Sequence, residues 1–434
     1  MKIGLIAMSG VRVRTPELAE LGVTLPQFVN RGEVIASLPS LGLLTVAALT
    51  PPDIDVIYRE VAEVRADDAL EEFDLVGISS FTAQIDEAYA LADRYRAAGT
   101  PVVLGGLHVS LMPDEAAAHA DAIVVNGAEG AWPALLEDFR RGEMRPRYEG
   151  LRSGVFREGT CVHPRFDLLE GRPYNRITVQ TSRGCPIDCE FCAASLRITT
   201  GFQQKPVERV IAEIESALGV TEHPFFELAD DNTFVSKKWG KEFLRAVAPL
   251  GIHWFTETDI SVADDDELLD LLAASGCRQV LIGLESPGAE DLAGIDPKGF
   301  KQSHAEDALA AIERIQSRGV TVNGCIVLGL DHHTTDIFDR VRAFIAESKL
   351  LEVQLTVQTP FPGTPLYRRL AQEGRLLTER YWDRCTLFDV NYRPKQMSVE
   401  ELEVGLRGLF ADVYNERELA KRQRHYMEIV KELS

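Results

Sequence analysis

Short apolar runs alternate with helical spacings along most of the chain and divide it into two α/β stretches and a tail. In residues 1–140, "KIGLIAM", "DIDVIYRE", "FDLVGISS", "PVVLGG" and "DAIVVNG" read as strands. Between them, "DEAYALADRYRAAG" and "DEAAAHA" have the alanine and leucine spacing of helices lying on a sheet, which predicts a five-stranded parallel αβα unit. Residues 141–173, rich in Arg, Gly and Pro and without periodicity, read as a connector. From residue 174 to 375 a second series begins at "NRITVQTSRGC" and continues through "PFFELAD", "IHWFTETD", "QVLIGLES", "TVNGCIVLG" and "EVQLTVQTPF", with helical patterns after most of them. Six βα steps predict a partial barrel or a large open sheet, since a closed barrel takes eight. Residues 376–434 include "MSVEELEVGLRGLFADVYNERELAKRQRHYMEIV", whose apolar spacing predicts helices packed on the body.

Composition narrows the picture. A chain of 434 residues with 45% hydrophobic and 26% charged residues has the balance of a globular protein of two domains. "MKIGLIAMSG" reads as a buried first strand, and no run of about 18 apolar residues follows, which argues against export and a transmembrane segment. A formal net charge of -21 disfavours nucleic acid and anionic lipid as partners, because such binding neutralises phosphates. Seven cysteines, three of them crowded together, fit a reducing cytoplasm better than a disulfide scaffold.

Ligands of open parallel sheets lie beyond the carboxyl ends of the strands. In the first unit those ends carry Ser79 and Ser80, then Gly105, Gly106 and His108, then Gly127, Glu129 and Gly130. Glycine permits close approach of a flat partner or a tight turn, so a binding face and plain turn chemistry are the two readings. Cys161 and His163 in the connector form an isolated pair, which is more often no site than a metal site.

The stretch "TSRGCPIDCEFCAAS" places Cys185, Cys189 and Cys192 just past the first strand of the second unit, in a loop marked by Gly184 and Pro186. Three thiolates suit a soft metal or an iron–sulfur cluster. Structural zinc wants a fourth ligand, and His223 is the nearest downstream histidine; a redox pair of Cys189 and Cys192 leaves Cys185 unexplained. A four-iron cluster with one iron open to an outside molecule uses all three. Cys277, Cys325 and Cys385 are scattered, and their apolar surroundings read as packing.

Cys185-x-x-x-Cys189-x-x-Cys192, with Phe191 before the last cysteine, resembles the cluster motif of the radical S-adenosylmethionine (SAM) superfamily. The resemblance implies a [4Fe-4S] cluster whose fourth iron is chelated by SAM, reductive cleavage to a 5'-deoxyadenosyl radical, and an electron donor such as flavodoxin or ferredoxin. It further implies SAM contacts from Asp230, Asp231 and Asn232 in "ELADDN", from Glu257, and from Glu285 in "IGLES", with main chain from Asn323 and from Gly324 to Gly329 presented to adenine. A carboxylate accepts from an amine or from vicinal hydroxyls, and open backbone pairs with a purine edge. A helix cap or solvated strand end is the plainer reading of each acid. Arg183 and Arg197 flank the cysteines, either to ease cluster charge or as surface residues.

The front unit, with "PSLGLLTVAALT", "DLVGISS", "VVLGGLHVSLMPDEA" and "VVNGAEG", resembles the cobalamin-binding domain that precedes many radical SAM domains. "TPFPGTPLYRRLAQEGRLL" and "YRPKQMSVEEL" resemble the end of the branch that holds the hopanoid methylases and the anaerobic Mg-protoporphyrin ester cyclase. The implied architecture is a flavodoxin-like, cobalamin-binding-type parallel sheet, a partial (β/α)6 radical SAM barrel and a helical tail. Asp-x-His-x-x-Gly, which supplies a histidine below cobalt in some cobalamin proteins, is absent; Asp331-His332-His333 lies in the wrong half. A corrin is expected against Ser79, Ser80, Gly105, Gly106, His108, Gly127 and Glu129. The implied reaction is cobalamin-dependent methyl transfer to an unactivated carbon of a small-molecule or lipid-like substrate. Radical cyclisation, rearrangement or oxidative bond formation without methyl transfer is the first alternative, and a non-catalytic sensor the second. Phe361, Tyr367, Tyr381, Trp382 and Phe388 line a pocket or pack the tail.

Overall fold

The computed structural model describes residues 1–20, 38–172, 174, 176–220 and 224–433, so His223 lies outside the described residues. The first sheet contains β1 (Lys2–Met8), β2 (Asp55–Val61), β3 (Leu75–Ser79), β4 (Val102–Gly105), β5 (Ala122–Val125) and β6 (Arg147–Glu149). All pair in parallel, in the order β2-β1-β3-β4-β5-β6. The order turns back at β1, and in such sheets the crevice outside the carboxyl ends at the turning point takes the ligand. Ile3 and Leu5 join one apolar core and Ile6 and Met8 the other, because helices cover both faces. That double burial is why "KIGLIAM" is continuously apolar.

The sixth strand falls inside the stretch read as a connector. Arg147, Tyr148 and Glu149 sit on an edge with only Tyr148 buried, so no apolar run announces it. The rest of that stretch is tied down as well: Thr200 N donates to Arg152 O at 2.7 Å, Gly154 N to Gln203 Oε1 at 2.5 Å, and Arg165 N to Leu44 O at 3.1 Å.

The second sheet begins with β7 (Arg176–Val179), and a short antiparallel pair, β8 (Ser182–Arg183) with β9 (Gln203–Gln204), follows it. Then come β10 (Phe225–Leu228), β11 (His253–Thr258), β12 (Cys277–Glu285), β13 (Thr321–Leu328) and β14 (Glu352–Val357). The six long strands are parallel and in chain order, as a partial barrel requires. Ile177, Phe226, Trp254, Val280 and Val322 form the outer face under the helices and are fully buried. By the same register Thr178, Glu227, Glu257, Leu281 and Asn323 face the concave interior.

The tail helices Val399–Val413 and Glu416–Leu433 pack beside β14, where Tyr414 Oη donates to Val353 O at 2.6 Å. Ser398 and Glu401 form a capping box that starts the first of them. Of the aromatic residues considered for a pocket, Tyr381, Trp382 and Phe388 are buried core and Phe361 and Tyr367 pack beside it. Trp382 Nε1 donates to Glu115 at 2.9 Å, so this part of the chain straps back onto the first domain.

Candidate active site

The cysteine loop leaves β7 through Gly184, which has φ +87 and where a Cβ would lie 2.5 Å from Gly201 O; only glycine fits there. Cys185, Cys189 and Cys192 are all free thiols. Arg197 clamps the loop from one side, donating to Cys189 O at 2.6 Å, Cys192 O at 2.7 Å and Asp188 Oδ1 at 2.7 Å. From the other side Arg369 forks onto the Glu190 carboxylate at 2.6 and 3.0 Å, while Leu366 N donates to Glu190 O and Glu190 N to Ile295 O. The main chain between the cysteines is therefore fixed before any metal arrives. Burial pushes all three thiols up, Cys192 to about 12, and Lys301 opposes that shift at Cys185 and Cys189. Among the described residues no three acidic, cysteine or histidine side chains converge as ligands of one ion. A zinc site would need its sulfurs within about 4 Å of each other, given Zn–S bonds of about 2.3 Å. Three soft donors on a fixed loop, Cys189 buried and Cys185 and Cys192 partly exposed, suit the separate irons of a cluster instead.

The carboxyl end of β10 is used differently from what its sequence implies. Asp230 accepts from Thr181 N at 2.7 Å, Thr181 Oγ1 at 2.5 Å, Ser182 N at 2.8 Å and Thr233 Oγ1 at 2.7 Å, so its carboxylate is committed within the protein. It ties β7 to β10 beneath the loop and has no capacity left for SAM. Asp231 accepts from Ser195 Oγ at 2.7 Å and from the Ser195 and Leu196 amides, and so fixes the segment after Cys192. Asn232 alone reaches the cysteines: its Nδ2 lies 4.0 Å from Cys185 Sγ and donates to Asp259 Oδ2 at 2.7 Å.

Glu285 ends β12 at a register shift, with φ +64, a left-handed conformation that is rare outside glycine. Lys301 pairs with it at 2.9 Å and also donates to Gly283 O at 2.6 Å. The main chain expected to meet adenine is engaged within the protein at both ends. Gly324 faces outward, where a Cβ would lie 2.7 Å from Leu350, so it serves packing. Gly329 already spends its carbonyl on Tyr392 Oη at 2.5 Å and its amide on His333 Nδ1 at 3.2 Å. Asn323 is buried mid-strand on the concave face, not at the rim. Glu257 opens into the same interior, where burial and then the carboxylates of Glu227, Asp231 and Asp230 push it up to about 8.

His333 completes this shell. Its Nδ1 accepts from the Gly329 and Leu330 amides, which leaves Nε2 protonated and 3.1 Å from Ser286 Oγ; Ser286 in turn donates to Asp291 at 2.6 Å. Burial lowers His333 to about 4. The unfolded chain takes up a proton near pH 6.5 that the folded chain refuses, so this contribution is complete above that pH and is lost as pH falls toward 4. His333→Gln is expected to lower the urea midpoint at pH 7.5 and to shrink the drop in midpoint between pH 7.5 and pH 5.

In the first sheet, Ser79, Ser80, Gly105 and Gly106 stay together at neighbouring strand ends, and Phe81 beside them is 62% exposed. Gly106 has φ +107 and Gly105 has only ordinary contacts where a Cβ would stand, so a flat group can approach the backbone closely. His108 departs from this face. It is buried with Nδ1 3.2 Å from Thr82 Oγ1 and Nε2 3.6 Å from Glu115, under Trp382. Glu129 instead pairs with Arg183, beside the cysteines, at 2.9 Å, and Gly127 lies under that pair. The ridge Ser79–Phe81 with Gly105 and Gly106 fits a corrin; His108 and Glu129 are already engaged elsewhere.

Residues 179–345 match the family described as the radical SAM superfamily, and residues 29–136 match the B12 binding domain. The chain carries a B12-binding domain joined to a radical SAM domain. A [4Fe-4S] cluster, SAM and cobalamin are the cofactors of that architecture. Residues 364–434 match a domain of unknown function, DUF4070. Bacteriochlorophyllide d C-12(1)-methyltransferase of Chlorobaculum tepidum is 26% identical over 91% of this chain and 86% of its own length. Hopanoid C-2 methylase of Rhodopseudomonas palustris is 26% identical over 80% of this chain and 66% of its own. The radical SAM methyltransferase TsrM from Kitasatospora setae, solved with cobalamin and a [4Fe-4S] cluster bound, has the same fold, with a TM-score of 0.66 and 17% identity over 95% of this chain and 88% of that one. Among the described residues no helix is long and apolar enough to cross a membrane.

Arg197 was expected beside the cysteines, though not as a clamp on their carbonyls, whereas Glu190, Arg369 and Lys301 were not legible as site residues. Only Arg197 had a signal, its place five residues after Cys192.

Proposed function

We propose that the protein is a cobalamin-dependent radical SAM methyltransferase acting on an unactivated carbon of a small-molecule or lipid-like substrate. The observation that carries this reading is the Arg183–Glu129 ion pair at 2.9 Å, which joins the strand ends of the B12-binding domain to the start of the cysteine motif. That contact supports cofactor faces lying next to each other. When bound there, the reduced cluster and SAM supply radical chemistry and cobalamin supplies methyl-group transfer. The relatives named as methyltransferases support the same reading.

The protein's own residues orient and shield. Cys185, Cys189 and Cys192 hold the cluster on a loop braced by Arg197 and by the Glu190–Arg369 pair. Glu285, braced by Lys301, faces the SAM amine or ribose hydroxyls, and Asn232 lies beside Cys185. Ser79, Ser80, Gly105 and Gly106 receive the corrin. The strap through Trp382 closes the seam between the domains, and such closure keeps water and stray hydrogen donors from a reactive centre. A flavodoxin or ferredoxin is the expected electron donor, in a reducing cytoplasm.

Full-length protein produced with cobalamin, reconstituted anaerobically and supplied with SAM and reductant, is expected to show a bound-corrin spectrum and to form both S-adenosylhomocysteine and 5'-deoxyadenosine. Corrin-free protein that yields 5'-deoxyadenosine alone would replace methylation by radical cyclisation or rearrangement.

A further inference from the structure

Glu257 is anomalous within the concave interior. Its side chain faces the hollow of the barrel, enclosed by the surrounding strands without being covered by another side chain, and it stands among carboxylates: Glu227 on β10 and Asp230 and Asp231 just beyond that strand's end. The thiol of Cys325 on β13 lies close enough to feel both Glu257 and Glu285. The cations nearby are committed, Arg176 to Glu227 at 3.1 Å and Lys301 to Glu285 at 2.9 Å. Among the described residues Glu257 makes no ion pair and no side-chain hydrogen bond. An acid held among like charges without a partner is costly, and such groups concentrate where a ligand completes them.

Two buried acceptors on the same face point to that ligand independently. Asn323 is 3% exposed and its Oδ1 has no hydrogen-bond partner; Thr178 is 5% exposed and its Oγ1 has none. Native structures leave few buried polar atoms unpaired, so each has room for a partner from outside the chain, a water or a ligand. Asn323 shares a register row with Glu257 through Leu281. At about 4.8 Å per strand spacing the two lie roughly 10 Å apart, within the span of a small molecule. Leu281 precedes the strand end at Glu285 by four residues, so this row lies in the interior, not on the rim where Glu285 stands.

We infer that the substrate is a small amine whose protonated nitrogen pairs with Glu257 inside the barrel, while a second donor on the same molecule reaches Asn323. This rests on the radical SAM reading of the site and specifies its substrate class as amino-bearing and polar, not a wholly apolar lipid. Pairing with a cation favours the ionised carboxylate, so a Glu257 that is largely protonated in the free enzyme releases a proton on binding.

The test is calorimetric titration of anaerobically reconstituted full-length enzyme with n-hexylamine, n-hexanol and hexanoate, in two buffers of different ionisation enthalpy. Hexylamine is expected to bind saturably with proton release, and the alcohol and acid to bind at least about tenfold more weakly. Glu257→Gln is expected to weaken the amine by about tenfold or more and to abolish proton release, whereas Glu257→Asp keeps the preference for amine over alcohol. The inference is overturned if the amine does not bind, if alcohol or acid binds as well, if Glu257→Gln leaves the amine affinity unchanged, or if that variant loses SAM affinity in step, which would make Glu257 a SAM ligand. Corrin content and SAM products, read separately, report on methyl transfer itself and are independent of the amine preference.

Discussion

Cys192→Ala, reconstituted anaerobically beside the parent chain, is expected to lose the iron–sulfur absorbance and to cleave SAM no faster than protein-free controls. On the proposed reading each of the three thiols holds one iron; Cys277 and Cys385 are buried in packing, with Sγ aimed at Gln279 O and Tyr381 O. The fold is expected to survive, because the loop is braced through the carbonyls of Cys189 and Cys192 and through Glu190, not through sulfur. Unfolding by urea should therefore shift little for metal-free protein while activity disappears. A variant that keeps a SAM-responsive cluster would mean that Cys192 is no ligand.

Asp230→Ala is the complementary case, with a large expected effect on stability. Removing that carboxylate leaves two amides and the Thr181 hydroxyl without an acceptor in a buried place, while the Thr233 hydroxyl keeps Thr256 Oγ1 at 2.6 Å. Hydrogen bonds to charged groups contribute about 1.5–3 kcal/mol each, and stranded donors add their desolvation cost. A loss of about 3–5 kcal/mol is expected in urea or thermal unfolding. Asp230→Asn, which keeps the volume and one acceptor, should fall between the two. Because Thr181 and Ser182 lead directly into Gly184 and Cys185, cluster yield should fall along with stability. An Asp230→Ala protein of normal stability that had lost SAM affinity would restore this residue to the cofactor.

The two parallel sheets were legible because their strands are buried on at least one face along their whole length. All five strands expected in the first sheet and all six in the second are present. β6 was not legible, since an edge strand of three residues with two exposed charged side chains carries no apolar period. The cysteine motif was legible because ligand spacing within a single loop is itself a sequence property. Its bracing was hidden, because Arg369 lies 179 residues from Glu190 and nothing local to either names the other. Asp230 and His108 show the same limit from the opposite side. Both occupy strand-end positions suited to a ligand, and both are turned into the protein by partners that only folding supplies.

The sequence by itself determined the strand and helix periods, the order of the two α/β units and the three thiols in one loop, all of which depend on residues within a few positions of each other. The tertiary structure alone decided which charges are consumed: Glu129 by Arg183, Glu285 by Lys301, Asp230 by its four donors, and Glu257 by none among the described residues. Electrostatic partnership depends on distance in space and on exclusion of water, and a charged side chain reads the same in sequence whether or not it has found its counterpart.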